Sequence, residues 1–153
     1  MNAVRRFCRL SGFDRRLVLE AAVVLGVIRL ALCAMSLRTT RRFLGRLVRA
    51  SDMWQKGDHQ ALPEPIVRAV KRAREYIPGA TCLVQALAVE MLLERRGRPA
   101  RVHIGMARTK EQFAAHAWVE SQGKTVLGGG TDVPYTPLPA FDGERLYHDG
   151  RAT

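Results

Sequence analysis

Residues 78–120 read PGATCLVQALAVEMLLERRGRPARVHIGMARTKEQFAAHAWVE. A Pro78-Gly79 turn delivers Thr81 and Cys82 to the start of an apolar run, and His116 follows inside an alternating segment. Thr81 is a good N-cap, because its side-chain oxygen can accept a bond from an unpaired N–H of the first helical turn. Leu83, Ala86, Leu87, Val89, Met91 and Leu92 then recur around most of the circumference, so the predicted helix belongs in the middle of a core. Glu94, Arg95 and Arg96 read as its solvated end, with Gly97 in the C′ position and Pro99 soon after.

Cys82 falls in the first turn of that helix, where free N–H groups and the helix dipole favour an anion. The competing reading is a small buried hydrophobe, the common fate of a lone cysteine, and position alone does not decide between them. Ala100 to Met106 alternates as a strand. Phe113 to Glu120 is a second, and Gln122-Gly123 turns the chain into a third, Lys124 to Leu127. On the second strand His116, Trp118 and Glu120 share one face, and Ala115, Ala117 and Val119 share the other. A single histidine is by default structural. A histidine between small alanines has open space, and its pairing with a helix-opening cysteine points to a thiol nucleophile and its base.

These residues resemble the transglutaminase-like cysteine-protease superfamily, and within it the processing proteins that act as leader peptidases in lasso-peptide biosynthesis. The motifs that carry the resemblance are Cys82-Leu83, the run from Leu92 to Gly97, Ile104-Gly105, and Ala115 to Glu120. It covers roughly residues 15 to 130 and is sharpest between Cys82 and Glu120. It implies an α+β fold with a transglutaminase-like (papain-like) core, a catalytic helix on a small antiparallel sheet, and extra N-terminal helices. It also implies Cys82 as nucleophile and His116 as general base. Where better-known members carry an orienting Asp on the next strand, this chain has Gly128 to Gly130. Asp132 just beyond, and Glu120 on the His116 strand, are the candidates for that role. The implied reaction is removal of the leader from a lasso-peptide precursor. The implied partners are the precursor peptide, a small leader-binding recognition protein and an ATP-using lasso cyclase. The helices before Cys82 use the space of an appended leader-binding domain, so the expected form is stand-alone. A transamidase on the same Cys–His pair, or a non-catalytic scaffold, are the alternatives.

Composition sets the frame. A chain of 153 residues with 47% hydrophobic content is expected to form one domain with a real core. The parts are a basic helical segment (1–76), a Cys-helix plus sheet core (77–130) and a loop-rich tail (131–153). Three cysteines without CxxC spacing give neither a disulfide framework nor a zinc signature. Cys8 and Cys33 read as bystanders, and the expected compartment is reducing, hence cytoplasmic. No cofactor or metal is expected. Residues 1–74 hold 16 Lys+Arg against 5 Asp+Glu, and residues 75–153 hold 9 against 9, so the whole net charge of +11 belongs to the first half. That half reads either as solvated helix faces or as a dock for an acidic partner. No nucleic-acid fold supports the charge, so nucleic acid is not an expected partner.

Arg16 to Ser36 is apolar but interrupted by Glu20 and Arg29, too short an uncharged run for a spanning helix. It reads as a long core-facing helix, with rest on a membrane surface or a partner as the alternative for its outer side, and the membrane surface is not the expected partner. Leu37 to Thr40 should break it, and Arg41 to Ala50 should form a short second helix. Asp52 to Pro65 reads as a loop containing Trp54, and Ile66 to Tyr76 as a helix with a basic outer face. After Leu127 the chain reads as loop, with Arg145 to His148 as a candidate edge strand. His103 is expected on a partly exposed strand. Tyr135, Phe141 and His148 carry no assigned role.

Overall fold

The computed structural model describes residues 11–51, 62–108, 113–129 and 135–138. Helix α1 spans Gly12–Ala34 and is capped by Ser11, whose hydroxyl accepts from the Asp14 N–H at 3.1 Å. Helix α2 spans Leu37–Ser51, α3 spans Pro63–Ala73 with a 3-10 turn at Arg74–Tyr76, and α4 spans Cys82–Glu94. Strands β1 (Ala100–Arg108), β2 (Phe113–Ser121), β3 (Lys124–Leu127) and β4 (Thr136–Pro137) form one sheet in the order β3-β2-β1-β4. Every pairing is antiparallel.

Helix α4 is apolar all round, and every residue from Val84 to Glu94 is buried. Such a helix has no face for water. It lies between α1 and α3 on one side and β1 and β2 on the other. Its core partners include Leu25, Ile28, Ile66 and Val70 from the helices and Val102, Ala117 and Val119 from the sheet. The chain leaves α4 through a Schellman turn, in which the Arg98 N–H reaches Leu93 O at 3.0 Å and the Gly97 N–H reaches Glu94 O at 2.9 Å. Gly97 holds φ +68°, a left-handed conformation that glycine tolerates without a Cβ penalty.

Four expectations change. Helix α2 begins at Leu37 rather than after Thr40, because Ser36 caps it, accepting from the Thr39 N–H at 3.3 Å. Only Met35 and Ser36 separate it from α1. Helix α3 begins at Pro63, since prolines fit a first turn whose N–H groups have no intrahelical acceptor. The supposed solvated end of α4 is docked instead. Arg95 and Arg96 both bond Glu20 of α1, at 3.2 and 2.8 Å, and Arg96 is buried. The segment after Leu127 contributes β4, which pairs Thr136 and Pro137 with Met106 and Gly105. Cys8, Trp54, Asp132, Phe141 and the Arg145–His148 segment lie outside the described residues.

The middle of α4 is tied on both sides by one carboxylate. Glu90, fully buried, accepts through Oε1 from Arg41 of α2 and from the Val102 N–H of β1, each at 3.2 Å. Among the described residues its Oε2 is buried without a hydrogen-bond partner. Burial outweighs what Arg41 and the amide return, and pushes the carboxyl up from 4.5 to about 7. A raised folded-state value means that the native protein binds this proton more tightly than the unfolded chain. The resulting stability is complete below the unfolded value and is lost as pH rises through about 7. Chemical denaturation of wild type should therefore show stability falling between pH 4.5 and 7 by an amount with a ceiling on the order of 3 kcal/mol. Glu90→Gln, which cannot ionise, should flatten that part of the profile. An unchanged slope in the variant would assign the pH dependence elsewhere.

Candidate active site

Gly79, at φ +74°, turns the chain into the Cys82 helix, and the Arg29 guanidinium from α1 occupies the space a side chain there would need. The Thr81 hydroxyl accepts from the Val84 N–H at 3.5 Å, the expected N-cap. Gln85, buried, reaches back and donates to Ala80 O at 2.8 Å and Thr81 O at 3.3 Å. This brace, which sequence reading missed, fixes the two residues that precede Cys82. Helix geometry leaves the N–H groups of Cys82 and Leu83 without intrahelical acceptors. Cys82 is half-buried, at the edge of the core.

By strand direction His116 lies toward the end of the sheet that the start of α4 faces, but on the face opposite α4. The carboxyl-terminal half of α4 touches the start of β1 through Glu90 and Val102 and turns into β1 through Gly97, so α4 and β1 run antiparallel. The start of α4 therefore faces the far half of β1, where Gly105 pairs with His116. The alternation read from the sequence holds. Ala117 and Val119 enter the core beneath α4, whereas His116, Trp118 and Glu120 take the other face. Among the described residues no hydrogen bond joins Cys82 Sγ to the His116 ring.

What holds that ring is a backbone carbonyl. His116 Nε2 lies 2.9 Å from Gly128 O, and Tyr135 lies against the ring with centroids 5.1 Å apart. A carbonyl oxygen only accepts, so Nε2 carries the proton and donates. In the neutral ring this leaves Nδ1 with its lone pair free for base work. Gly128 can come this close because it has no side chain. At φ +78°, a Cβ would stand 2.9 Å from Ala117 O and from Trp118 Cβ.

Glu120, one candidate for orienting His116, is engaged elsewhere. Its carboxylate lies 3.3 Å from Nε2 of His103, whose ring stacks on Trp118 at 5.5 Å and 14°. His103 is half-buried, close to the sequence expectation. Gly105 makes this stack possible, since a Cβ there would stand 2.9 Å from the Trp118 ring. Cys33 is exposed on α1. Among the described residues no cluster of His, Cys, Asp and Glu could hold a metal ion.

The two left-handed glycines of the hairpin region separate strain from crowding. Gly123 and Gly128 both hold positive φ, but a Cβ meets nothing within 4 Å at Gly123. Gly123→Ala should cost about 1 kcal/mol in a denaturation series, from backbone strain alone. Gly128→Ala should cost measurably more, and should shift the His116 ring signals in an NMR titration because the carbonyl must move. Equal costs with unmoved His116 signals would show that the Gly128 contact is incidental.

The comparisons with known proteins bear on the whole arrangement. Residues 22–140 match the family described as the Transglutaminase-like superfamily, a span that includes the Cys82 helix and all four strands. No curated protein and no solved structure matches the chain. Members of that superfamily are typically cysteine peptidases or transglutaminases, built on a Cys–His pair. With well over half of its length inside the match, and with an α+β fold that buries a cysteine-opened helix against an antiparallel sheet, the chain belongs to the transglutaminase-like superfamily.

Proposed function

We propose that the protein is a cysteine peptidase that removes the leader from a lasso-peptide precursor. The observation that carries the reading is the His116 ring. Its Nε2 is committed to Gly128 O, so the free Nδ1 is a base poised at the end of the molecule where α4 begins. The mechanism requires Cys82 Sγ, half-buried at the start of α4, to meet Nδ1 in the substrate complex, where catalytic contacts often tighten. Nδ1 then takes the Sγ proton, and the thiolate attacks the carbonyl carbon of the scissile peptide bond. The resulting oxyanion is met by the free N–H groups of Cys82 and Leu83. Collapse breaks the C–N bond, and the proton on Nδ1 goes to the departing amine. Water then attacks the thioester with His116 as base again, releasing the leader acid and the free thiol. The orienting role that Asp132 would fill by resemblance is served in this reading by the Gly128 carbonyl. The expected setting is the cytoplasm, where a thiol stays reduced. The expected helpers are a leader-binding recognition protein and a lasso cyclase.

Mass spectrometry of a precursor peptide incubated with this protein and the recognition protein tests the reaction class. Cleavage at the leader–core junction supports the peptidase. A mass gain from an added amine would mean a transamidase, and an unchanged precursor would leave a non-catalytic scaffold. Cys82→Ala should abolish processing while keeping the fold, and Cys33→Ala should retain it. His116→Ala should slow cleavage by at least ~100-fold, the usual scale for a positioned base. His103→Ala should matter far less, because that ring serves the Trp118 stack.

The recognition protein is proposed to dock on the basic outer face of α3, where Arg68, Lys71 and Arg72 are exposed. Exposed charge pairs are screened over ~10 Å at 0.1 M salt, so the affinity should fall steeply across a salt series. Reversing those three charges should reproduce the loss. Coincident titration curves for wild type and the triple variant would move the dock elsewhere.

A further inference from the structure

Helix α1 is apolar on both sides, but only one side is covered. Leu17, Val18, Ala21, Val24, Leu25, Ile28 and Ala31 are buried in the core. Leu19, Val23, Val27 and Leu30 point outward with 57%, 67%, 37% and 70% of their surface exposed. Their spacing of four, four and three residues lines one helix face for roughly 16 Å. The stripe is free of charge. Glu20 is drawn to Arg95 and Arg96, and the Arg29 guanidinium lies against Gly79. By length and composition α1 could cross a bilayer, but its inner face is already the wall of a protein core.

Two residues further on, α2 presents Arg38, Arg42, Arg46 and Arg49, all exposed and set at the helical repeat. Among the described residues none of the four has an ion-pair partner. Like charges at that spacing repel and destabilise a helix slightly, so the row favours an anionic neighbour. We propose that α1 and α2 form a docking surface for an anionic lipid bilayer, with α1 lying in the interfacial plane and the arginines meeting headgroup phosphates. The stripe is aliphatic, without an aromatic or hydrogen-bonding anchor. Lipid requires none on its apolar face, whereas the apolar centre of a protein interface relies on aromatic anchors and regular hydrogen bonds. A second copy of the chain is disfavoured, because it would bring two halves of net charge +11 together. This surface is independent of the peptidase reading.

The test is co-sedimentation of the full chain with vesicles of phosphatidylcholine alone, and of phosphatidylcholine containing one-third phosphatidylglycerol. The expected result is partition onto the anionic vesicles that weakens as salt rises, and little onto the neutral ones. Leu19→Asn/Val23→Asn/Leu30→Asn should weaken partition by at least about tenfold. Arg38→Gln/Arg42→Gln/Arg46→Gln, which spares the apolar face, should weaken it by about a hundredfold at roughly fivefold per arginine. All six side chains are exposed, so circular dichroism should be unchanged in both variants. No partition by wild type, or equal partition by wild type and both variants, overturns the proposal. Light scattering that shows a dimer, dissolved by the apolar triple variant without any lipid binding, assigns the stripe to a second copy and overturns it too.

Discussion

A helix with no polar face can exist in water only if something covers it on every side, and α4 is such a helix. Its burial requires two layers, supplied by α1 and α3 on one side and by β1 and β2 on the other. Neither layer alone would suffice, because a half-covered α4 would leave several Leu and Val side chains wet at about 1.5–3 kcal/mol each. The rest of the architecture follows from satisfying the polar groups such a helix brings inside. Gln85 ties its entry, the Schellman turn and Glu20 tie its exit, and Glu90 ties its middle.

The Glu90 contact shows how specificity and stability diverge. A carboxyl buried on the core helix is held by a guanidinium from α2 and an amide from β1, so three elements meet on one oxygen. Deleting Arg41 alone would remove the cation that opposes the effect of burial, so the Glu90 carboxyl would hold its proton still more tightly and lose one of its two hydrogen-bond donors. Satisfying that one oxygen fixes the rotation of α4 about its axis and the height of β1 along it. Both settle where the first turn of α4, and with it Cys82, comes to rest against the sheet.

The parts that were legible in the sequence are those whose causes are local. Thr81 as cap, Gly97 as C′ residue, the all-round apolar run and the period-two alternation about His116 need no distant partner to be read. The two-residue turn is local too, with Gln122 at φ 53° and Gly123 at φ 74° giving the left-handed pair that matches strand twist. What escaped depends on residues far apart in the chain. Arg96 looked solvated because Glu20 lies 76 residues away. Strand β4 looked like loop because two residues become a strand only against an existing edge. Which side of α1 faces the core was not legible either, since a sequence cannot say which apolar face will find a cover. The partner of His116 escaped for a further reason: a backbone carbonyl has no letter.

That carbonyl changes what the histidine can do. A carboxylate beside an imidazole performs two tasks, holding the tautomer that leaves the working nitrogen free and stabilising the cation formed when that nitrogen takes a proton. Gly128 O performs the first, because an acceptor on Nε2 leaves the lone pair on Nδ1. An amide side chain in that place could turn its N–H toward the ring and hold the wrong tautomer, at a cost of about 10⁴ in rate in a serine-protease triad. The carbonyl cannot make that error. It performs the second task only as a dipole, so more of the imidazolium must be stabilised by what surrounds the ring. The Tyr135 face, which lies against His116, is the described group in position to do so, through attraction of a cation to an aromatic ring. In the proposed mechanism, orientation is thus supplied by β3's end and charge stabilisation by the segment that enters β4. In that mechanism the sheet edge that looked like loop in the sequence supports the base.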